Sequence, residues 1–291
     1  MKLKRLPGRG WELARHYVWS AFKAANTKHR FDDVQTFCMF IGYPRSGHTL
    51  VGSLLDAHRH IVTGLELDAL RYVKFGFSRR QLFSLLAENS ERHAEQGRQW
   101  TGYSYQVPNQ WQGRVEKLQV IGDKRGGDSS RRLAKDFSLF EKLRLLVGVP
   151  LKVVHVVRNP YDNTTTMTVR KDSDNLSAAI DEYVMMVDVV ERVRKQVPAD
   201  SFITVHHEDI ILQPKTELQR LCSFLGVDAP PEYLSDCASI LFESPKQTRN
   251  KIVWGESELK RVSRLCSEHD FLRRYSYVEN PVSGSKESGE N

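Results

Sequence analysis

The hydrophobic and polar positions of the 291-residue chain alternate between short apolar runs and longer stretches with helical spacing. Apolar runs bounded by turn residues predict strands, and apolar residues that recur every three or four positions predict helices. The strand candidates are Thr36–Gly42, Leu118–Lys124, Leu151–Pro160 and Ser201–Asp209. The helix candidates cover residues 11–26, 78–97, 129–147, 175–195 and 214–225, together with a helix that follows the first strand. This alternation predicts an α/β fold with a mainly parallel central sheet.

The strand candidate Leu151–Pro160 has four valines around one histidine, a pattern typical of a strand that is buried on both faces. Helices must then cover both sides of the sheet, which makes three layers. No internal repeat is visible, so we predict a single domain over residues 1–280. The tail, residues 281–291, has few large apolar side chains and is expected to fray. The aromatic stretch Trp100–Trp111 is expected to be an excursion from the main fold.

Composition restricts the class of protein. The chain has 43 Lys and Arg against 36 Asp and Glu, a net charge of +7, which suggests an anionic partner without separating nucleic acid from a phosphorylated small molecule. The apolar runs are far shorter than the roughly 20 residues that a bilayer span requires. The basic N-terminus lacks a hydrophobic signal region, so we expect a cytoplasmic protein unless an anchor preceded this sequence.

Four cysteines share no CxxC spacing: Cys38, Cys222, Cys237 and Cys266. We expect buried free thiols, with a disulfide or a metal site as the less favoured alternative. The histidine pairs lack a third ligand at usable spacing, which argues against a metal site. Asn163 begins an Asn-Thr-Thr glycosylation acceptor, which we interpret as unglycosylated because it lies inside a candidate phosphate-binding segment.

The turn after the first strand, GYPRSGHT from Gly42 to Thr49, has the spacing of a phosphate-binding P-loop. His48 occupies the position at which an ATPase or kinase has lysine. The backbone amides of a strand-to-helix turn, together with the helix dipole, still favour an anion, and Arg45 supplies a cation. The alternative is an ordinary turn that contains two glycines. The Arg, Ser and Thr of the same loop favour the phosphate site.

A second group of basic and hydroxyl residues follows the strand candidate Leu151–Pro160. Arg158 stands where a Mg²⁺-binding aspartate would be expected, and Thr166 and Arg170 share one face of the following helix. Two guanidinium groups and a hydroxyl suit the geometry of a phosphate. A solvated basic helix face is the alternative, but it explains poorly an arginine at the carboxyl end of a buried strand.

These two segments resemble the cofactor-binding motifs of the sulfotransferases that use 3′-phosphoadenosine 5′-phosphosulfate (PAPS). Arg45-Ser-Gly-His-Thr49 is similar to their 5′-phosphosulfate loop, and Arg158 with Thr166 is similar to their 3′-phosphate segment. The similarity is strongest to the tyrosylprotein and heparan-type branches, in which a glutamate is the base. It implies a P-loop-type fold, PAPS as the sulfuryl donor, and a hydroxyl or amine as the acceptor.

The resemblance also implies site residues, on the segments LLDAHRHIVTGLE, GDK, VHHEDI and ESPKQTRNK. The implied catalytic residues are Glu66 as base, Lys124 at the leaving oxygen, and Ser244 near the transferring sulfate. The implied cofactor-binding residues are Arg45, Ser46, Gly47, His48, Thr49, Arg158, Thr166, Arg170, His207, Thr248, Arg249 and Lys251. The chain departs from the family pattern at three of these positions: His48 replaces threonine, Thr166 replaces serine and His207 replaces tyrosine.

The implied reaction is an in-line transfer that depends on positioning and charge stabilisation and requires no divalent metal. A nucleoside or sugar kinase of the same fold is the enzymatic alternative, and a non-catalytic module for polyanions such as nucleic acid or heparin is the other. We expect a small-molecule acceptor rather than nucleic acid, a protein tyrosine or a glycan. The aromatic residues Trp100, Tyr103, Tyr105 and Trp111 are candidates for an acceptor pocket or, equally, for core residues under a loop. The oligomeric state is not predicted.

Overall fold

The computed structural model describes residues 8–26, 29–100, 102–171 and 175–278. The strands are β1 (Thr36–Gly42), β2 (Ile61–Leu65), β3 (Gln99–Trp100), β4 (Tyr103–Ser104), β5 (Val120–Lys124), β6 (Leu151–Val157) and β7 (Phe202–His206). The helices are α1 (Gly8–Asn26), α2 (His48–Asp56), α3 (Ala69–Lys74), α4 (Arg79–Glu95), α5 (Gly126–Lys135), α6 (Ser138–Val147), α7 (Pro160–Arg170), α8 (Leu176–Arg194), α9 (His207–Leu212), α10 (Pro214–Leu225), α11 (Pro231–Ser239) and α12 (Glu256–Glu268). Short 3-10 turns cover Ala199–Ser201 and Arg249–Lys251.

Five strands form the main sheet in the order β2-β5-β1-β6-β7, and every neighbouring pair is parallel. The prediction of an α/β fold with a mainly parallel sheet is therefore confirmed. Strand β1 lies at the centre, and the chain places β2 and β5 on one side of it and β6 and β7 on the other. The loops after β1 and β6 therefore flank the point where the strand order reverses, which is where open α/β sheets bind ligands.

Side chains of the central strand enter two separate cores. Phe37, Met39 and Ile41 belong to one buried apolar cluster, and Cys38 and Phe40 belong to the other. Successive side chains of a strand point to opposite faces, so one cluster lies on each side of the sheet. Helices pack on both faces and give the three layers that the hydrophobic pattern of the buried strands predicts.

The boundaries of the predicted elements differ in several places. The helix expected over residues 129–147 is wrong as a single element, because it is divided into α5 and α6. Asp136 adopts an extended conformation at the break, and its carboxylate accepts hydrogen bonds from the backbone and hydroxyl of Ser138. The sequence patterns missed β2, β3, β4, α3, α11 and α12. The strand candidate Ser201–Asp209 ends at His206, after which α9 begins.

The aromatic excursion begins with a hairpin of β3 and β4, which lies outside the main sheet. All four cysteines are buried and free. None of the helices that the structure describes is both long and apolar enough to cross a bilayer. The tail that is expected to fray, residues 281–291, lies outside the described residues.

Candidate functional site

The turn between β1 and α2 has a backbone that few residue types tolerate. Gly42, Arg45 and Gly47 all have positive φ angles, of 134°, 68° and 95°. A Cβ atom on Gly47 would lie 2.2 Å from Nδ1 of His207, so glycine is required there by space as well as by conformation. Gly47 is also the N-cap of α2 and provides no side-chain cap. The first amides of α2 therefore face the turn without a capping side chain, as in an anion-binding helix N-terminus.

Lys124 ends β5 and is fully buried beneath this turn. Its ammonium group donates hydrogen bonds to Oε1 of Glu66 at 2.6 Å and to Oγ1 of Thr49 at 2.9 Å. Gly52 of α2 makes room for the lysine stem, since a Cβ atom there would lie 2.4 Å from Cγ of Lys124. The chain thus places a buried cation against a carboxylate and against a hydroxyl of the loop.

Glu66 follows β2 and lies at the junction of several charged groups. It has a positive φ of 57°, and its backbone carbonyl accepts a hydrogen bond from the Arg125 guanidinium. Nε2 of His48 lies 3.4 Å from Oε1 of Glu66, and Nδ1 of His48 lies 3.4 Å from Oγ of Ser46. These groups form a continuous polar chain from Ser46 through His48 and Glu66 to Lys124.

Charge pairing and burial set the protonation states of Glu66, His48 and Lys124. Burial by itself raises the pKa of Glu66, but the Lys124 ammonium and the hydrogen bond from His48 more than offset it and hold the pKa well below its ordinary value. Burial lowers the pKa of His48, with Glu66 opposing the shift. Burial also lowers the pKa of Lys124, and Glu66 opposes that shift as well. At neutral pH the carboxylate is therefore ionised and the imidazole is neutral.

The second basic group forms around Arg158, at the carboxyl end of β6. Its guanidinium donates to Oγ1 of Thr166 at 3.4 Å, to Oγ1 of Thr248 at 3.4 Å, and to the carbonyl of Lys246. The two threonine hydroxyls lie 2.9 Å apart. Arg158 is only 7% exposed, and within the described chain it forms no ion pair with a carboxylate. A largely buried guanidinium beside two hydroxyls suits an anionic ligand.

Arg249 stabilises the segment that carries Thr248 of this group. Its guanidinium pairs with Asp162 at 2.7 Å and donates to the carbonyls of Ser276 and Tyr277. The same carboxylate accepts from the backbone amides of Thr248 and Arg249, at 2.5 and 2.7 Å. The pair is nearly buried, so Asp162 and Arg249 fix the segment that carries Thr248 against α7.

One cavity of about 780 Å³ joins both basic groups. Most of the predicted site residues line it: Arg45, Gly47, His48, Thr49, Glu66, Arg158, Thr166, Arg170, His207, Thr248 and Lys251. Ser46, Lys124 and Arg249 are buried and do not line the cavity. Ser244 is exposed and lies outside the lining, so the structure does not place it in the cavity where the transferring sulfate was expected.

The lining is strongly cationic. It contains two carboxylates, Glu66 and Asp128, and these Arg and Lys residues: Arg45, Arg125, Arg131, Arg158, Arg170, Lys246 and Lys251. Nδ1 of His207 is buried without a hydrogen-bond partner in the part of the chain that the structure describes. Burial and the nearby Arg158 charge lower the pKa of His207 to about 3, so its ring is neutral. Among the described residues, no group of three or more His, Cys, Asp or Glu side chains is placed to hold a metal ion.

Several lining residues were missed by the sequence reasoning. Arg125, next to Lys124, was given no role, although its guanidinium donates a hydrogen bond to the Glu66 carbonyl. Asn89 and His93 lie on α4, where helical spacing gave no signal of a site. The aromatic residues Trp100, Tyr103 and Tyr105 line the cavity, whereas Trp111 does not.

Comparison with known proteins gives a family and a fold. The family model described as "Sulfotransferase family" matches residues 39–231. A sulfotransferase domain from the curacin biosynthetic pathway is 16% identical with a TM-score of 0.50, covering 80% of this chain and 98% of that one. A sulfotransferase of Mycobacterium avium is 11% identical with a TM-score of 0.50, covering 86% and 81%. A sulfotransferase domain of a Synechococcus olefin synthase is 18% identical with a TM-score of 0.48, covering 86% and 90%.

The two similarities with a TM-score of 0.50, at these identities, agree with the parallel α/β architecture described above. The family match spans more than half of the chain and includes the turn after β1, Glu66, Lys124, Arg158 and Thr166. The chain therefore belongs to the sulfotransferase family and is an enzyme that transfers sulfuryl groups.

Proposed function

We propose that this sulfotransferase takes its sulfuryl group from PAPS and transfers it to a hydroxyl or amine of a small molecule, with Glu66 as the base. The observation that carries the proposal is that one cavity is lined by the turn after β1, by the Arg158 group and by Glu66. A donor with phosphate groups at both its 5′ and 3′ ends requires two cationic groups that open into one space.

The two groups fit different ends of such a donor. The turn offers backbone amides, the Thr49 hydroxyl and the exposed Arg45 guanidinium, which suit the 5′-phosphosulfate. Arg158, Thr166 and Thr248 offer a guanidinium and two hydroxyls, which suit a terminal phosphate, and Arg170 adds a second cation. The His207 ring lies against Gly47 of the turn and is close enough to Arg158 for that charge to lower its pKa. Its Nδ1 has no hydrogen-bond partner among the described residues, which supports a polar occupant at this position.

The Glu66–Lys124 pair accounts for the transfer step. When bound, the donor supplies a sulfur electrophile with a phosphate leaving group. The acceptor oxygen or nitrogen forms a bond to sulfur as the bond from sulfur to the 5′-phosphate oxygen breaks, and Glu66 receives the acceptor proton. Lys124 stabilises the charge that develops on the departing phosphate. Because sulfuryl transfer needs no metal to neutralise its charge, we propose a reaction without a divalent ion.

The same pair also links donor binding to base strength. In the structure, Lys124 holds Glu66 ionised and weakly basic. A donor phosphate that draws the ammonium away from Glu66 removes the interaction that lowers the carboxylate pKa. Glu66 then becomes a stronger base only when the donor is in place. His48, 3.4 Å from the same oxygen, keeps the carboxylate oriented after Lys124 changes partner.

We also propose that the chain belongs to the glutamate-base branch of the family, and the position of Glu66 in the cavity beside Lys124 supports this. The acceptor side of the cavity is formed by Trp100, Tyr103, Tyr105 and Phe242, which favours an apolar or aromatic small molecule as acceptor. Such an acceptor agrees with a cytoplasmic enzyme, which we propose as well.

The test is a transfer assay with PAPS across phenols, alcohols and amines, with and without EDTA. We expect sulfated product in EDTA and no phosphate transfer from ATP with Mg²⁺. A kinase would show the opposite pattern. A polyanion-binding module would show no turnover, and its binding would weaken steeply as salt increases.

Two variants distinguish catalysis from binding. We expect Glu66→Gln to lower kcat by roughly 10²–10⁴-fold, with the affinity for the spent donor, 3′-phosphoadenosine 5′-phosphate (PAP), changed only a few-fold. Asp128→Asn is the matched control, because Asp128 is the other carboxylate of the lining and pairs with Arg125 and Arg131. Equal losses of kcat in both variants would contradict the assignment of Glu66 as base.

A further inference from the structure

Helix α1 has one face packed on the protein. Ser20 and Ala24 are buried, and the amide of Gln81 on α4 donates to the carbonyl of Tyr17 and to the hydroxyl of Ser20. The His16 ring hydrogen-bonds the Tyr72 hydroxyl at 2.7 Å. These contacts hold α1 against α3 and α4, so the direction in which its other side chains point is fixed.

The opposite face of α1 is apolar and exposed. Trp11, Val18 and Phe22 are 73%, 70% and 68% exposed. Their spacing of seven and four residues places them in one row along the helix. Exposed alanines complete the row at Ala14, Ala21 and Ala25. A surface helix of a soluble protein normally presents polar residues at these positions, so this row is not explained by the packing of the protein.

Positive charge is concentrated in the same segment. Residues 1–26 contain six basic residues and one acidic residue, a net charge of +5 out of +7 for the whole chain. Arg15 is exposed on the edge of the apolar row. The single acidic residue, Glu12, pairs with Arg71 of α3 at 3.4 Å and so is turned toward the protein. Among the described residues of α1, exposed Arg15 therefore borders the apolar row, and the one carboxylate of the helix, Glu12, is already paired.

We propose that this apolar row, in a segment whose net charge is +5, docks α1 onto an anionic membrane surface. An amphipathic helix of this kind lies in the plane of the interface, with its apolar side chains among the lipid tails and its basic ones near the headgroups. Tryptophan favours that interface. Charge complementarity decides between occupants: a second copy of α1 would bring two strongly basic segments together, whereas an anionic leaflet neutralises them. Nucleic acid or heparin would satisfy the charges but not the apolar row.

The experiment is co-sedimentation of the full chain with vesicles of phosphatidylcholine, alone or with 30% phosphatidylserine. We expect binding to the anionic vesicles, weak binding to the neutral ones, and weaker binding as salt rises. The variant Trp11→Ser/Phe22→Ser should lower the partition coefficient by at least about tenfold, since each side chain loses the free energy of burial in the apolar layer. Leu145→Ser is the matched control, because Leu145 is an equally exposed apolar residue, 68%, on α6.

Thermal unfolding of each variant shows that it is folded, and PAP binding shows that its donor site is unchanged. The docking proposal is overturned if the wild-type chain does not bind anionic vesicles, or if both variants lose binding equally. It is also overturned if analytical ultracentrifugation shows a dimer that depends on Trp11 and Phe22 and does not bind vesicles. A third contrary result is binding to heparin but not to vesicles, with a heparin affinity that is the same for the wild type and the double variant. None of these outcomes depends on the donor or the base.

Discussion

Replacing Glu66 by glutamine removes the only carboxylate that Lys124 contacts among the described residues, and leaves a buried ammonium behind. The lysine side chain is 1% exposed and that of Glu66 is 20% exposed, with 2.6 Å between Nζ and Oε1. Removing one partner of a buried ion pair costs about 3–5 kcal/mol. Glutamine keeps an oxygen that accepts a hydrogen bond, and the partial exposure of Glu66 admits water. We therefore expect a loss of about 3 kcal/mol in the free energy of unfolding, at the lower end of that range.

A double-mutant cycle separates this pair from general damage to the site. Lys124→Met alone leaves the carboxylate without its main partner, whereas the double variant Glu66→Gln/Lys124→Met leaves neither charge unpaired. We expect the double variant to be more stable than the sum of the single losses predicts, by about 2 kcal/mol. Urea denaturation at neutral pH, followed by circular dichroism, measures all four proteins under one condition.

The pH dependence of the same difference gives an independent check. The folded-state pKa of Glu66 lies below its ordinary value of 4.5, so folding favours the ionised carboxylate. The stabilisation is therefore complete above about pH 4.5 and is lost as the pH falls further toward the folded-state pKa. The gap in stability between the wild type and Glu66→Gln should narrow below that pH. A gap under about 1 kcal/mol at pH 7, or a strictly additive cycle, would refute the buried-pair reasoning.

Three further substitutions test the rest of the site. Arg158→Lys should lower the affinity for PAP by about 10–100-fold, measured by calorimetry. The affinity for AMP, which has no 3′-phosphate, should be nearly unchanged. Equal losses of affinity for both nucleotides would contradict the assignment of Arg158 to the 3′-phosphate. Gly52→Ala should lower kcat in steady-state assays by at least about tenfold, because the new Cβ would lie 2.4 Å from Cγ of Lys124 and displace the lysine. An unchanged kcat would show that catalysis does not require Lys124 in this position. Gly47→Ala should lower stability in thermal unfolding by about 2 kcal/mol or more, since φ is 95° and the Cβ lies 2.2 Å from Nδ1 of His207. Adding His207→Ala should recover only the steric part of that loss; complete recovery would mean that the φ angle carries no cost.

The sequence was sufficient for the elements whose patterns are strong. The apolar runs of β1 and β6 are buried along almost their whole length, so their hydrophobicity alone identifies them. The divided helix at Asp136 was missed because helical spacing continues across the break, where the Asp136 carboxylate accepts from the Ser138 amide at the start of α6. Strand β2 was missed since its five residues include threonine and glycine, and its burial comes from β5 and α4 rather than from its own composition.

Some residues of the candidate site could be identified from the sequence, and the roles of others could not. The turn after β1 and the Arg158 segment have local signals, because a phosphate needs amides, hydroxyls and guanidiniums at fixed short spacings. Ser244 was placed near the reacting group only by resemblance, and it lies on an exposed loop outside the cavity lining. Arg249 carries the same kind of local signal as a ligand residue, but Asp162 and two backbone carbonyls take up its guanidinium.

What the sequence determined by itself is therefore the layered α/β architecture and the two phosphate-type segments, since both depend on neighbours along the chain. The tertiary structure alone decided that Glu66, Lys124 and Thr49, which come from three different elements, share one hydrogen-bonded group. It also decided which faces of α1 are covered and which are left to solvent. The physical reason is that burial and charge pairing act through space, so the pKa of Glu66 and the exposure of Trp11 depend on residues far away in the sequence.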